Sequence, residues 1–156
     1  MDQVLDKYYD KQNAFDILIQ NGADPSLEDN DRSSLIHFAA EGGNTSIIIK
    51  LLSLGLDVDS RNNDGVTPLM TAAINDKQNA FDIVIQNGAD PSFKDNNGFS
   101  VLHCAAQGRN TSIMNKLLSL GLDIKLKDAY GVNPLTRAIE KNNFDAVKSL
   151  ISKGTL

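Results

Sequence analysis

The chain has 156 residues, enough for one domain of ordinary size, and its formal charge of −5 at pH 7 leaves no basic face for neutralising phosphates. No apolar run approaches the roughly 20 residues that span a bilayer, the N-terminus lacks the pattern of a secretory signal, and a single cysteine excludes a disulfide framework within the chain. We therefore expect no nucleic-acid partner and no membrane insertion, and an intracellular location in the cytoplasm or the nucleus.

The chain repeats itself with a period of 33 residues, which is clearest from one glycine in each repeat: Gly22, Gly55, Gly88, Gly121 and Gly154. A fixed period of this length predicts a stack of similar units. We number these units 1 to 5, with approximate boundaries 1–28, 29–61, 62–94, 95–127 and 128–156. A longer period of 66 lies on top, because residues 11–30 match residues 77–96 at all but three positions. We expect all five units to form a single domain, 1–156.

Unit 1 departs most from the repeat. Its second helix is predicted over Asn13–Asn21, whereas Asp2–Tyr9 holds the place of the first helix without the proline-leucine and alanine-alanine marks of the other units. We expect this segment to be a divergent polar cap on the stack.

Unit 3 shows the predicted elements most clearly. Thr67 can cap a first helix over Leu69–Asn75, and Pro68 suits its first turn because the missing N–H group costs nothing there. A second helix is predicted over Gln78–Asn87, and Gly88 supplies the left-handed residue that ends it. Ala89–Asn97 follows and carries Pro91 and most of an Asp-Asn-Asn-Gly turn at Asp95–Gly98. This composition favours an extended finger that reverses tightly.

Units 2 and 4 repeat this order, and unit 5 closes the array. The helices of unit 5 carry Arg137, Glu140, Lys141 and Lys148, which are polar enough to end the stack as a second cap.

These marks resemble those of the ankyrin repeat. The motif Asp64-Gly-x-Thr-Pro-Leu-x-x-Ala-Ala, followed by a second helix that ends in Gly88-Ala89-Asp90, carries the resemblance across nearly the whole chain. Unit 2 departs from the pattern at Arg32 and Leu35, in place of the usual glycine and proline. The resemblance implies an all-α solenoid, in which helix–loop–helix pairs stack side by side and β-hairpin fingers project from one edge.

No residues indicate catalysis, a cofactor or a metal. His103 and Cys104 are neighbours, but adjacent residues on a helix point about 100° apart and cannot act as a nucleophile pair. The resemblance instead implies that His103 bonds to the backbone between neighbouring units. His37 lies two units away from His103, too far for the two to share a metal ion. We therefore expect no enzymatic activity in these residues.

A partner is expected on the face formed by the finger tips and the exposed sides of the first helices, because that is where ankyrin-like stacks are concave. The residues we select there are Asp31, Asp64, Val66, Ile74, Asn97, Phe99, Tyr130 and Val132. Exposed aromatic side chains such as Phe99 and Tyr130 make good anchors because they bury a large area with little loss of entropy. The alternative is that Phe99 packs against the next finger. The tips change from acidic to apolar along the array, which suits a partner with a basic end and an apolar end.

The resulting hypothesis is a monomeric, non-catalytic protein–protein interaction module with a protein partner. The alternative is a structural spacer, a segment of a longer solenoid in a larger scaffold, channel or toxin protein. An enzyme remains only if a catalytic domain lies outside these residues.

Overall fold

The computed structural model describes residues 2–154 and the side chains of residues 11–154. The extreme ends of units 1 and 5 therefore lie outside the described residues. Helices dominate the described part, and in chain order they are α1 (Asp2–Gln20), α2 (Leu35–Gly42), α3 (Thr45–Ser53), α4 (Pro68–Ile74), α5 (Gln78–Gln86), α6 (Val101–Gln107), α7 (Thr111–Ser119), α8 (Pro134–Glu140) and α9 (Phe144–Ser152). Within residues 2–154 none of these helices is both long and apolar enough to cross a membrane.

Helices α2 to α9 form four antiparallel pairs, one in each of units 2 to 5, and the pairs stack in two layers. The inner layer contains α2, α4, α6 and α8, and the outer layer contains α3, α5, α7 and α9. Ala72 and Ala73 are buried on α4, where their small side chains let the neighbouring helices approach closely. Phe81 and Val84 of α5 are fully buried and fill the space between the layers. The predicted all-α solenoid is confirmed.

The residues that start and end the helices of unit 3 act as the sequence predicts. The Oγ1 atom of Thr67 accepts a hydrogen bond from the N–H of Met70 at 3.4 Å, and Pro68 occupies the first turn of α4. The helix α5 ends at Gln86, and Gly88 follows with a φ of 93°, the left-handed conformation that glycine adopts without steric cost.

In unit 1 the predicted helix over Asn13–Asn21 is the last part of a longer helix, because α1 runs without a break over Asp2–Gln20 and includes the segment Asp2–Tyr9. A first helix folded back onto the second would place Asp6 and Lys7 where units 2 to 4 bury two alanines. Burying two charged residues there costs far more than burying two methyl groups, so the chain continues straight. The side chains of residues 2–10 lie outside the described part, and the role of this segment as a cap stays a prediction.

The fingers are less regular than β-hairpins. Among the described residues, strand pairing consists of two isolated antiparallel bridges, Glu28 with Ser34 and Lys94 with Ser100. Neighbouring finger tips are nevertheless tied together, because one backbone N–H in each of units 3, 4 and 5 donates to a carbonyl oxygen of the preceding tip at 2.8 Å. These bonds run from Asn63 to Asp31, from Asn96 to Asp64 and from Ala129 to Asn97. The tips therefore form one continuous row at the edge of the stack.

The last unit exposes apolar as well as polar side chains. Ile139 takes the position of the second alanine and is 59% exposed, whereas the corresponding Ala106 in unit 4 is fully buried. Phe144 and Ile151 are also exposed on unit 5. Of the polar residues expected to close the stack, Arg137 packs back against Phe99 of unit 4, and the capping role of unit 5 remains a prediction.

Candidate functional site

An apolar cleft of about 240 Å³ opens between the finger tips and the inner helices of units 3, 4 and 5. We call it the inner cleft, and we call the surface of finger tips and exposed inner-helix sides the inner face. The residues that line the cleft are Val66, Met70, Ile74, Asp95, Asn97, Phe99, Cys104 and Tyr130. They come from α4, α6 and three successive fingers, so the stacking of units creates the cleft.

The structure brings together five of the eight residues selected from the sequence: Val66, Ile74, Asn97, Phe99 and Tyr130. Three further lining residues, Met70, Asp95 and Cys104, were not selected. A signal for Met70 existed, because it replaces the histidine found at the same position of units 2 and 4. Val132, Asp31 and Asp64 do not line the cleft; Val132 is half-buried in the finger of unit 5, and the two aspartates are exposed on the tips of units 2 and 3.

The apolar side chains of the cleft differ in how far they reach solvent. Tyr130 is 74% exposed and Ile74 is 36% exposed, whereas Val66 and Phe99 are half-buried. The ring of Phe99 lies beneath the guanidinium of Arg137, whose central carbon is 4.6 Å from the ring centroid, and 5.0 Å from the ring of His103. Phe99 therefore packs against the next unit and forms a wall of the cleft, while Tyr130 is the side chain free to meet a partner.

Arg137 is held in place by two carboxylates as well as by the ring. Its guanidinium donates to Asp128 at 3.1 Å and to Glu140 at 2.9 Å. Burial by itself would raise the pKa of Asp128, but hydrogen bonds from the N–H groups of Val132 and Tyr130 and from Arg137 outweigh it, so the pKa is lowered. The positive charge beside the cleft is thus already neutralised by residues of the same unit.

Two histidines link neighbouring units, as the resemblance implied for His103. The Nε2 atom of His37 lies 3.0 Å from the carbonyl oxygen of Val66, and that of His103 lies 3.0 Å from the carbonyl oxygen of Val132. A carbonyl can only accept, so both rings carry their proton on Nε2. Burial lowers the pKa of both histidines, which favours this neutral form. Unit 3 has Met70 instead, so this link is absent between units 3 and 4, one of the two junctions that the cleft spans.

Cys104 does not have the properties of a nucleophile. The side chain is 6% exposed, and burial raises the pKa of its thiol to about 12, so it stays protonated at neutral pH. The ring of His103 is engaged with Ser100 and Val132 rather than with the thiol. In the described part of the chain no group of three histidine, cysteine or acidic side chains could hold a metal ion.

The inner face is acidic on the side of units 2 and 3. Asp31, Asp64 and Glu41 are exposed there, and among the residues whose side chains are described none of the three forms an ion pair. The nearby Arg32 is occupied by Glu28, at 3.2 Å. The inner face therefore combines unpaired negative charge with an apolar cleft next to it.

Comparison with known proteins is consistent with this architecture. A family model described as ankyrin repeats, three copies, matches residues 7–95 and 80–155. One relative is an ankyrin repeat protein of Acanthamoeba polyphaga mimivirus, 34% identical over 67 residues. That match covers 43% of the present chain and 9% of the viral protein, so the matched stretch spans less than a tenth of that relative's length.

Proposed function

The chain belongs to the ankyrin-repeat family, and from that premise we propose that it is a protein-binding module whose partner docks on the inner face, centred on the inner cleft. Ankyrin repeats are generally protein–protein interaction modules and are typically non-catalytic. The partner contacts proposed are the cleft residues Val66, Ile74, Asn97, Phe99 and Tyr130, flanked by Asp31, Asp64 and Val132.

The inner cleft is the observation that carries this proposal. An exposed aromatic side chain, Tyr130, stands beside an apolar depression on a surface whose other finger tips are polar. Tight interfaces are commonly centred on such apolar pockets with aromatic rims, because water is excluded there at little entropic cost. The volume of the cleft also favours a protein side chain over a small molecule. Sites for small molecules and cofactors usually measure about 300–1,000 Å³, so a cleft of about 240 Å³ suits a protruding protein side chain better.

An affinity capture with matched variants tests the proposal. The test variant is Ile74→Ala/Tyr130→Ala, which removes the two most exposed apolar side chains of the cleft. The control is Ile49→Ala/Leu120→Ala, which truncates side chains that are 51% and 48% exposed on the outer layer. Each variant truncates two partly exposed side chains, so both should fold with modest losses of stability, and capture is compared at a temperature well below both melting points. A protein retained from a lysate of the source cells by wild type and control, and lost by the test variant, supports the module. Equal capture by all three contradicts it.

A structural spacer is the second candidate, favoured by the exposed apolar side chains of unit 5. Ile139 and Phe144 are 59% and 71% exposed on the side where a further unit would stack. The mass of the chain in solution separates the two functions. A self-contained module is a monomer at micromolar concentration, whereas a segment of a longer solenoid associates end to end. Replacing both side chains by serine should abolish such association and leave a self-contained module unaffected.

A further inference from the structure

We propose that the inner face binds an extended polypeptide segment with one large apolar side chain for the cleft and basic side chains directed at Asp64 and Asp31. This inference rests on the proposed function and adds the chemistry and spacing of the partner. The basic side chains stand about three and six residues from the apolar one.

The capacity of the cleft sets the number of anchors. A cavity of about 150 Å³ accommodates one benzene ring, and the inner cleft measures about 240 Å³. One leucine, methionine or phenylalanine side chain fits with little spare volume, and two do not. Ile74 and Val66 offer the apolar walls, Met70 and Cys104 are buried at its base, and Tyr130 can cover the guest from the solvent side.

The distribution of charge sets the direction of the basic residues. On the side of unit 5 the nearest cation, Arg137, is neutralised by Asp128 and Glu140 and offers no net field to a partner. On the side of units 2 and 3 the carboxylates of Asp31 and Asp64 have no cation within ion-pair distance among the described side chains. Complementary potential therefore places the partner's positive charge toward units 2 and 3 rather than toward unit 5.

The repeat geometry sets the spacing. Packed helices lie about 8–10 Å apart, so equivalent positions of neighbouring units recur at about that interval. An extended polypeptide rises about 3.3 Å per residue, so one unit corresponds to roughly three residues. The finger tips follow the helices in register, because the N–H of Asn63 donates to the carbonyl oxygen of Asp31 and that of Asn96 to the carbonyl oxygen of Asp64, both at 2.8 Å. Asp31, Asp64 and Asn97 hold the same position in units 2, 3 and 4, so an anchor seated beside Asn97 places the third residue of the partner near Asp64 and the sixth near Asp31.

Synthetic peptides test these three requirements directly. The probe is a fluorescein-labelled peptide with one leucine, lysines three and six residues away from it, and glycine or serine elsewhere. It is made in two forms, with the lysines before or after the leucine, because the chain direction is an outcome of the test. Matched peptides replace the leucine by alanine or place the two lysines next to each other. Fluorescence anisotropy measures the dissociation constant at about 50 and 300 mM salt.

The expected result is binding of one form, weakened at least tenfold by the loss of the leucine and several-fold by misplacing the lysines. Asp31→Asn/Asp64→Asn should weaken it about tenfold at low salt and remove most of its salt dependence, because each exposed ion pair contributes up to about a factor of five. The control Asp57→Asn/Asp123→Asn changes the net charge equally on the outer loops and should leave binding unchanged. Both asparagines keep the side-chain oxygen that accepts the turn hydrogen bond there.

Three results would overturn the inference: no binding of either form, equal binding of the peptides with misplaced lysines, or no effect of Asp31→Asn/Asp64→Asn. The proposed function fails separately. If a captured protein partner is lost from Ile74→Ala/Tyr130→Ala but bound normally by Asp31→Asn/Asp64→Asn, the module stands and only the bipartite chemistry is wrong. If Ile74→Ala/Tyr130→Ala still captures the same protein, the docking surface itself is wrong.

Discussion

Truncating the two aromatic side chains of the cleft should change the free energy of unfolding by very different amounts. Phe99 packs between units 4 and 5, whereas Tyr130 is mostly exposed. Phe99 is half-buried, against the guanidinium of Arg137 at 4.6 Å and the ring of His103 at 5.0 Å. Truncating a fully buried phenylalanine costs about 3–5 kcal/mol, so a half-buried one loses roughly 2 kcal/mol. The cation–π contact adds about 0.5–1 kcal/mol. Phe99→Ala should therefore destabilise the protein by about 2–3 kcal/mol, and Tyr130→Ala by at most about 0.5 kcal/mol.

Urea denaturation followed by far-ultraviolet circular dichroism measures both free energies of unfolding. Stabilities of about 5–15 kcal/mol are usual, so Phe99→Ala should still fold, with a lower midpoint and an unchanged slope. Phe99→Leu is the matched control, because it keeps apolar volume but removes the aromatic face, and should recover more than half of the loss. A loss below about 1 kcal/mol for Phe99→Ala, or an equal loss for Tyr130→Ala, would show that Phe99 does not support the junction between units 4 and 5. Because of this stability cost, Phe99 is a poor reporter of binding.

Three further predictions concern the junctions between units. Burial lowers the pKa of His37 and His103, so the unfolded chain binds protons more readily than the folded one. The urea midpoint should therefore fall as the pH drops below about 6.5 and stay level above about 7.5. A midpoint that rises on acidification would contradict the buried neutral rings. Arg137→Ala removes the cation over the aromatic ring and two ion pairs, and should cost about 1–2 kcal/mol in the same assay, with a loss that shrinks little in high salt because the side chain is only 18% exposed. Gly65 has a φ of +79° and a Cβ atom there would meet neighbouring side chains, so Gly65→Ala should cost more than the roughly 1 kcal/mol expected at Gly22, where φ is +82° but the space is open.

Local chemistry explains which parts of the fold could be predicted from the sequence. The start of α4 at Thr67 and Pro68 and the end of α5 near Gly88 depend on residues within one turn of the boundary. The histidine links depend on a fixed position in the repeat, which placed His103 correctly against the backbone of the next unit. In each case the determinant and its effect lie close together in the repeat, so the sequence pattern is sufficient.

The parts that could not be predicted depend on neighbours in space. The start of α1 at Asp2 could not be placed from the repeat, because Asp2–Tyr9 lacks the marks that bound the helices of the other units. The burial of Phe99 depends on the rotamer of Arg137, a residue 38 positions later in the sequence. Among the described residues, bridges across a finger form at Glu28–Ser34 and Lys94–Ser100, and the tips also bond to the preceding tip, a contact that involves a residue about 33 positions earlier.

The internal duplication offers an independent argument for the proposed docking surface. Residues 11–26 and 77–92 differ only at Leu18 and Val84, although this stretch includes side chains exposed in both copies, such as Asn13 and Asn79. Residues 27–43 and 93–109, which form the finger and inner helix, differ at 10 of 17 positions. Exposure alone does not produce this contrast, because the exposed residues of 11–26 and 77–92 stayed the same, although exposed Ile49 of α3 is replaced by Asn115 in α7.

The unchanged positions of the inner half have structural roles in both copies. Ser34 and His37 with their counterparts cap the inner helix and link it to the next unit, and the alanine pair is buried. The changed positions include those proposed to meet the partner, with aspartate becoming asparagine at residue 97 and serine becoming phenylalanine at residue 99. Two copies that keep the scaffold and alter the inner face would present two chemically different surfaces to one partner. An acidic half beside an apolar cleft is such an arrangement. It predicts that exchanging the two exposed residues Asp31 and Asn97 (Asp31→Asn/Asn97→Asp), which leaves the net charge and Phe99 unchanged, preserves folding but weakens binding.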